Sequence, residues 1–428
     1  MNLKNFVIKN FLQIKKGGVN IFLKKIISLS YLIFQFPIYL ISIPIFIIIT
    51  LISPWYLIRF KKIWSSRIGH FVLETELYCC ERDANINFPK QKYKDFFYLD
   101  RYVSNKALEI MWRRSILILP SFLIKPVHKI SILFYSITRL NNIHDINSPF
   151  NHDRDVYNLQ ENYNTHINFT SKQEIKGENF LKKFGIPKNS KFICLIVRDS
   201  GYLNRKNVEV DLTRWSYHSY RDGDIDNYVL AAEELASRGY YVFRMGVNVL
   251  KPLKSSNPKI IDYANSEMRS DFMDIYLGAK CFFLITTGCG FDAIPSIFKR
   301  PIALTHVPLG LSQFTSTDKC LLLTKHHKNK LTKKELTISE IFSSNVGIAS
   351  ETEEFEKNNV ELLENTSEEL RDFVIEMDDR LTGKWKETSD DIFLQKKFWS
   401  IFEKNMNNLD PNHELFKQGD HKFNLHGK

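Results

Sequence analysis

The sequence predicts an α/β protein with a mainly parallel sheet, preceded by an apolar, membrane-associated segment and followed by C-terminal helices. Three observations predict it. Short continuous apolar runs at Phe192–Val197, Tyr240–Phe243, Cys281–Thr287 and Pro301–Val307 read as strands covered on both faces. Helical spacing lies between them, at Ile225–Arg238, Asp271–Lys280 and about Phe291–Phe298. Nearer the start, Ile26–Ser53 carries no charge over 28 residues.

The chain has 428 residues, 44% hydrophobic and 25% charged, ample for two domains with extensions. Its net charge of +11 first suggests nucleic acid, but the distribution excludes that partner. The stretch from Met1 to Arg67 holds ten Lys or Arg and no acid, and removing those ten leaves +1 on the remainder. A basic excess flanking an apolar run is a membrane signature. One span needs about 20 residues and two need about 40. Pro37 and Pro44 interrupt the run, Trp55 and Tyr56 border it, and both flanks are basic. A tilted single span and a re-entrant hairpin with both ends cytosolic both fit. Phe6–Phe22, apolar with interspersed lysines, reads as an interfacial helix. The long apolar core, with no small-residue cleavage site after it, argues against a signal peptide. Six cysteines form no C-x-x-C pattern, so a reduced, cytosolic body without structural zinc is expected.

Further along, Phe71, Leu73, Leu77, Tyr78 and Cys80 suggest a helix, with Arg67–His70 as the loop before it. Phe96–Arg101 reads as a strand and Lys106–Leu119 as a helix. Asn141–Asn168 reads as a loop or linker; its His144, His152 and His166, with the later His218, fit no common metal spacing. Ser171–Glu174 reads as a capping box for a helix to about Phe184. Lys319–Lys334, including His326 and His327, reads as a solvated face. Thr366–Glu369 is a second capping box, followed by Leu370, Phe373, Val374, Met377 and Leu381 on one helix face. Leu394–Met406 is another helix and Asp410–Lys428 a polar tail. The expected domains are residues 1–60 (membrane-associated), 61–170 (N-terminal domain and linker), 171–345 (C-terminal α/β domain) and 346–428 (helices and tail).

Parallel strands joined by right-handed crossovers point one way, so Arg198, Arg244 and Thr287–Gly288 reach one sheet edge. Two guanidiniums and a glycine turn suit a diphosphate. The turn Thr287, Gly288, Cys289, Gly290 opens a helix, where free N–H groups and the dipole favour an anion. It matches neither G-x-G-x-x-G nor the Walker pattern. The alternatives are that the glycines only make a turn, and that each arginine is a solvated strand end or pairs with Asp199 or Asp271.

At CLIVRDSGYLN, YRDGDIDNYVLAAEELASRGYYVFRMG, RSDFMDIYLGAKCFFLITTGCG and ENTSEELRDFVIEM, the chain resembles a family of bacterial glycosyltransferases associated with surface polysaccharide and O-antigen loci. The resemblance covers about Arg67–Phe402 and is strongest over Cys194–Pro308. It implies a GT-B architecture of two Rossmann-like domains, the C-terminal one holding a nucleotide-sugar donor, with no metal or other cofactor. A fainter similarity is to the H-x-R motif of GT-B fucosyltransferases; here the triplet is Ile196-Val197-Arg198, so the histidine is missing. By resemblance, Arg198 and Arg244 would bind the pyrophosphate, while Ser270, Asp271 and Thr287–Gly290 would line the nucleotide or sugar pocket. Asp199 and His70 are the candidates for general base. The expected partners are the donor, a glycan or lipid-linked acceptor, and the membrane through residues 26–53. The expected location is the cytoplasmic side of a bacterial inner membrane. A nucleotide-sugar epimerase of the same fold and a non-catalytic, membrane-anchored assembly protein are the alternatives.

Overall fold

The computed structural model describes residues 37–146, 155, 157–199, 201, 219–310 and 319–407. Phe6–Phe22, the first part of the apolar run, His152, His218 and the tail from Asp410 lie outside them. In chain order the first elements are α1 (37–52), β1 (Tyr56–Ile63), α2 (Ile68–Asp83), β2 (Lys92–Leu99), α3 (Lys106–Ser115) and α4 (Ser121–Thr138). Then come α5 (Leu159–Asn162), α6 (Ser171–Lys183), β3 (Phe192–Ile196), α7 (Val229–Ser237), β4 (Tyr241–Arg244) and β5 (Ile260–Ile261). These are followed by α8 (Asp271–Lys280), β6 (Leu284–Thr286), α9 (Ala293–Ile297), β7 (Ile302–Val307), β8 (Cys320–Thr324) and β9 (His326–Asn329). The last are α10 (Ile338–Phe342), α11 (Thr352–Lys357), β10 (Val360–Leu363), α12 (Ser367–Thr382) and α13 (Ser389–Asn407).

The chain forms two units, each built from separate stretches of sequence. The first comprises residues 1–63, 88–100 and 116–147. Its strands β1 and β2 run parallel from Tyr56↔Lys92 to Ile63↔Leu99, and single parallel bridges at Asp145 and Ile118 widen them. Arg59 faces Asp95 across the pair, donating Nε and Nη2 at 2.8 and 2.7 Å. A buried bidentate pair of this kind is costly to misalign, so it favours this register. Phe46, Ile49, Phe60, Val127 and Tyr135 form the core that joins α1, β1 and α4. Both helices leave apolar side chains outside, Ile41, Ile48 and Leu51 on α1, and Phe122, Leu133 and Ile137 on α4.

In this unit the described residues form a two-stranded parallel sheet with its bridges. Tyr56, expected at a membrane border, begins a strand. The basic flank is partly neutralised, because Arg59 pairs with Asp95, and Lys62 with Asp100 at 2.5 Å. Among the described residues, no helix is long and apolar enough to cross a membrane.

The second unit comprises residues 64–87, 101–115 and 148–428. α2 and α3 therefore belong with the C-terminal sheet, where the sequence suggests a boundary near 170. The sheet has six strands, all parallel, in the order β5-β4-β3-β6-β7-β8. The chain leaves β3 outward to β4 and β5, then returns to the other side of β3 as β6. The order thus reverses between β3 and β6, the crevice where open α/β sheets bind ligands. Leu195, Val242, Phe283 and Ile285 supply the core, covered by Leu235 of α7 and by Leu370, Val374 and Met377 of α12.

Capping explains several boundaries. The Thr366–Glu369 box is present, and α12 stops at Gly383 with φ +73°. The first box lies one residue earlier than expected: Thr170 caps α6 with Gln173, each taking the other's backbone N–H. α2 begins at Ile68, so Gly69 and His70 occupy its first turn and not a preceding loop. The lysine-rich stretch is not a solvated face throughout. Lys325 is buried and donates to the carbonyls of Tyr220 and Asp222 at 3.0 and 2.8 Å, and His327 is buried with Nδ1 donating to the Lys325 carbonyl at 3.0 Å.

Candidate functional site

The carboxyl ends of β3 and β6 meet at the reversal point. The Arg198 N–H donates to Thr287 Oγ1 at 2.9 Å, and the Arg198 carbonyl accepts the Gly223 N–H at 3.0 Å. Gly288 has φ +78°, a conformation that glycine adopts without a Cβ penalty. Its carbonyl accepts Arg221 Nη2 at 2.5 Å. Asp292 holds the turn from beneath, accepting Thr286 Oγ1 at 2.7 Å and the Cys289 N–H at 2.8 Å. Burial pushes the Asp292 carboxyl up to about 6. Burial also raises the Cys289 thiol, so this cysteine behaves as a small apolar group and not as a thiolate nucleophile.

The charges here are mostly positive. Arg198 Nη1 lies 3.3 Å from Asp222 Oδ1. Burial raises the Asp222 carboxyl, while Arg198, Lys325 and Arg221 all pull it down. The nearby Asp199 carboxylate also raises it. Burial lowers both Arg198 and Lys325 from their usual values, as expected for cations drawn out of water.

Arg244 stands one strand away, on β4. It is fully buried, with Nη1 3.4 Å from Asp262. Its Nε and Nη2 have no hydrogen-bond partner among the described residues. The two arginines thus pair with Asp222 and Asp262, in place of the Asp199 or Asp271 considered from sequence. Around Asp222, Arg198 is joined by Arg221 and Lys325.

Of the two general-base candidates, Asp199 has both oxygens engaged, accepting the N–H groups of Gly201 and Leu250, each at 2.9 Å. His70 differs. Its Nδ1 donates to Glu74 Oε1 at 2.6 Å, one helical turn on, and its ring stacks on Trp64 with centroids 4.5 Å apart. That leaves Nε2 as the nitrogen for proton transfer. Beside it, a Cβ on Gly69 would come within 2.9 Å of Gly290 Cα, so the amino end of α2 lies directly against the Thr287–Gly290 turn. Ser270 and Asp271 have structural partners. Ser270 Oγ caps α8 by accepting the Met273 N–H at 3.3 Å, and Asp271 Oδ2 accepts the Lys106 N–H at 2.8 Å.

Sequence reasoning missed Arg221, Lys325 and His306. His306 is buried at the end of β7 with φ +59°, uncommon for a residue with a side chain. It contacts the Tyr228 hydroxyl through Nδ1 and Glu364 through Nε2, each at 3.1 Å. Burial alone would raise Glu364, but His306 and the Asp224 N–H outweigh it and hold the carboxyl down at about 2. The available signal was polarity near strand ends: His306 is the penultimate residue of IALTHV, and Lys325 follows CLLLT.

No protein-family model matches the chain, and no curated protein matches it. Solved structures similar to it include E. coli ADP-heptose LPS heptosyltransferase II, at 10% identity over 62% of this chain and 90% of that one, TM-score 0.39. Another is a glycosyl transferase family 9 structure from Veillonella parvula, at 11% identity over 62% and 85%, TM-score 0.40. The wall teichoic acid polymerase TagF aligns at 10% identity over 82% and 90%, TM-score 0.25. Likenesses of this size assign neither activity nor ligand to this chain.

Proposed function

We propose that the protein is a glycosyltransferase that moves a sugar from a nucleotide-sugar donor to a glycan or lipid-linked acceptor in surface-polysaccharide synthesis. The observation that carries this reading is the cluster of Arg198, Arg221 and Lys325 beside the Gly288 turn, at the strand-order reversal of a parallel sheet. A donor diphosphate in that crevice meets preorganised cations and a glycine turn. Arg244 offers two further buried donors on the next strand. The acceptor hydroxyl attacks the anomeric carbon, the bond from that carbon to the diphosphate oxygen breaks, and the nucleoside diphosphate leaves with the bonding electrons. His70 Nε2 takes the hydroxyl proton, with Glu74 stabilising the imidazolium formed. The cations stabilise the leaving group's charge, so in this reading the nucleotide sugar is a co-substrate and no cofactor is required.

The reading places the enzyme at the cytoplasmic side of a bacterial inner membrane, through residues 26–53 and the apolar outer faces of α1 and α4. Calorimetric titration with ADP, UDP, GDP and CDP tests donor binding. At least one should bind, and Arg198→Ala or Arg221→Ala should weaken it about 10- to 100-fold, the loss of one charged hydrogen bond. Binding by none of them, or unchanged binding in both variants, would refute the reading.

A further inference from the structure

The middle of α2 carries a second cluster that the transfer chemistry does not use. Glu76 and Cys80 are one helical turn apart and share a face, and both are buried. Against that face lies His166, from the stretch after α5. Its Nδ1 is 3.0 Å from Glu76 Oε1, and Cys80 Sγ is 4.0 Å from the same oxygen. One ligand atom from each of the three lies within 4.8 Å of the others. Zinc bonds of 2.0–2.3 Å in tetrahedral geometry place their ligand atoms about 3.2–3.8 Å apart. The observed separations bracket that range, so a small adjustment of side chains would close the set.

One feature favours a metal over a plain hydrogen-bond cluster, the outer partner of the histidine: His166 Nε2 donates to Asp83 Oδ2 at 2.9 Å. A carboxylate on the far nitrogen fixes the ring and directs the other nitrogen at the ligand cluster, as in carboxylate–histidine–zinc arrangements.

We propose that Glu76, Cys80 and His166 form a zinc-type site, with Asp83 as the outer partner that orients the histidine. One thiolate, one imidazole and one carboxylate suit zinc, with water completing four-coordination. Binding would release the Cys80 thiol proton and the His166 Nδ1 proton. The site would tie α2 to the segment carrying His166. It lies about 15 Å along the helix from His70, ten residues at the usual rise, so its role is to hold α2 in place and not to touch the transferred sugar. This departs from the sequence-based expectation of no structural zinc.

Full-length protein, stripped with EDTA and titrated with Co²⁺ and then Zn²⁺, tests the site directly. One equivalent of cobalt should give a thiolate-to-cobalt charge-transfer band, and zinc should abolish it. Cys80→Ser should remove the band, while Cys79→Ser, on another face of the helix, should keep it. His166→Gln and the more exposed Asp83→Asn should each weaken binding at least about 10-fold. No thiolate band in the wild-type protein overturns the proposal without needing any variant to fold. A band that survives in folded Cys80→Ser, or unchanged affinity in both His166→Gln and Asp83→Asn, overturns it as well.

Discussion

At the residue scale, His70 and His327 show how differently surroundings can engage one residue type. His70 keeps one nitrogen on Glu74, and its neighbour Gly69 touches the Gly290 turn; the role of general base is our proposal for it. His70→Ala should cut transfer about 10²- to 10⁴-fold while leaving nucleoside diphosphate affinity close to wild type, as read by steady-state rates alongside calorimetry. A parallel loss of diphosphate affinity would mean that His70 acts in binding. His327 is structural. Burial holds its imidazole down at about 4, although its bond to the Lys325 carbonyl works the other way. The unfolded imidazole, near 6.5, takes its proton first, so acidification from about 6.5 towards 4 destabilises the fold by up to about 3 kcal/mol. Asp274 and Asp292 act in the opposite sense. Burial raises both to about 6, so their contribution is full below about 4 and is lost as pH rises through 6. The wild-type slope is therefore a net of opposing effects. Urea midpoints from pH 7 to 4 should fall less steeply for His327→Gln than for wild type; equal slopes would contradict this account.

At the element scale, α2 links the site to the rest of its unit. Its amino end touches the glycine turn backbone to backbone, with no flexible side chain to yield. Gly69→Ala should therefore cost about 1–3 kcal/mol in chemical denaturation and lower transfer as the helix shifts. Wild-type activity and stability together would show that the contact is looser than described. α12 is a simpler case. Its box pairs Thr366 Oγ1 with the Glu369 N–H and Glu369 Oε2 with the Thr366 N–H, at 3.2 and 2.8 Å. Thr366→Ala should cost about 1 kcal/mol, measurable as a lower urea midpoint with unchanged diphosphate binding.

At the scale of the whole molecule, the two units carry different surfaces. The second holds the polar sheet edge; the first exposes isoleucine, leucine and phenylalanine on α1 and α4. Nearby, burial lowers the proton affinity of Lys125, and the charges of Lys129 and Lys62 lower it further. Apolar side chains beside lysines suit an anionic lipid surface. Full-length protein should sediment with anionic vesicles more than with neutral ones, and less so at high salt. Replacing both Ile48 and Ile137 by Glu should weaken vesicle binding by at least about 10-fold, since burying each isoleucine contributes about 1.5–3 kcal/mol. Equal sedimentation of wild type and double variant would remove these faces from the membrane contact.

Local patterns in the chain were enough to specify the parallel sheet, the direction of its strands and most of its helices. Apolar runs such as FICLI, and caps such as Thr366–Glu369, are signals that need no distant partner to be recognised. They also placed Arg198 and Thr287–Gly288 at one edge, because strand direction follows from crossover chirality. Which cations gather there was settled by packing. Arg221 comes from a loop, Lys325 from the end of β8, and Arg244 turns to Asp262; loop paths and side-chain pairing leave no periodic trace in sequence. The division of α2 from β1 and β2, the burial of Lys325 and His327, and the meeting of His166 with Glu76 and Cys80 were hidden for the same reason. Each depends on residues far apart in the chain, brought together only when the sheet and its covering helices pack.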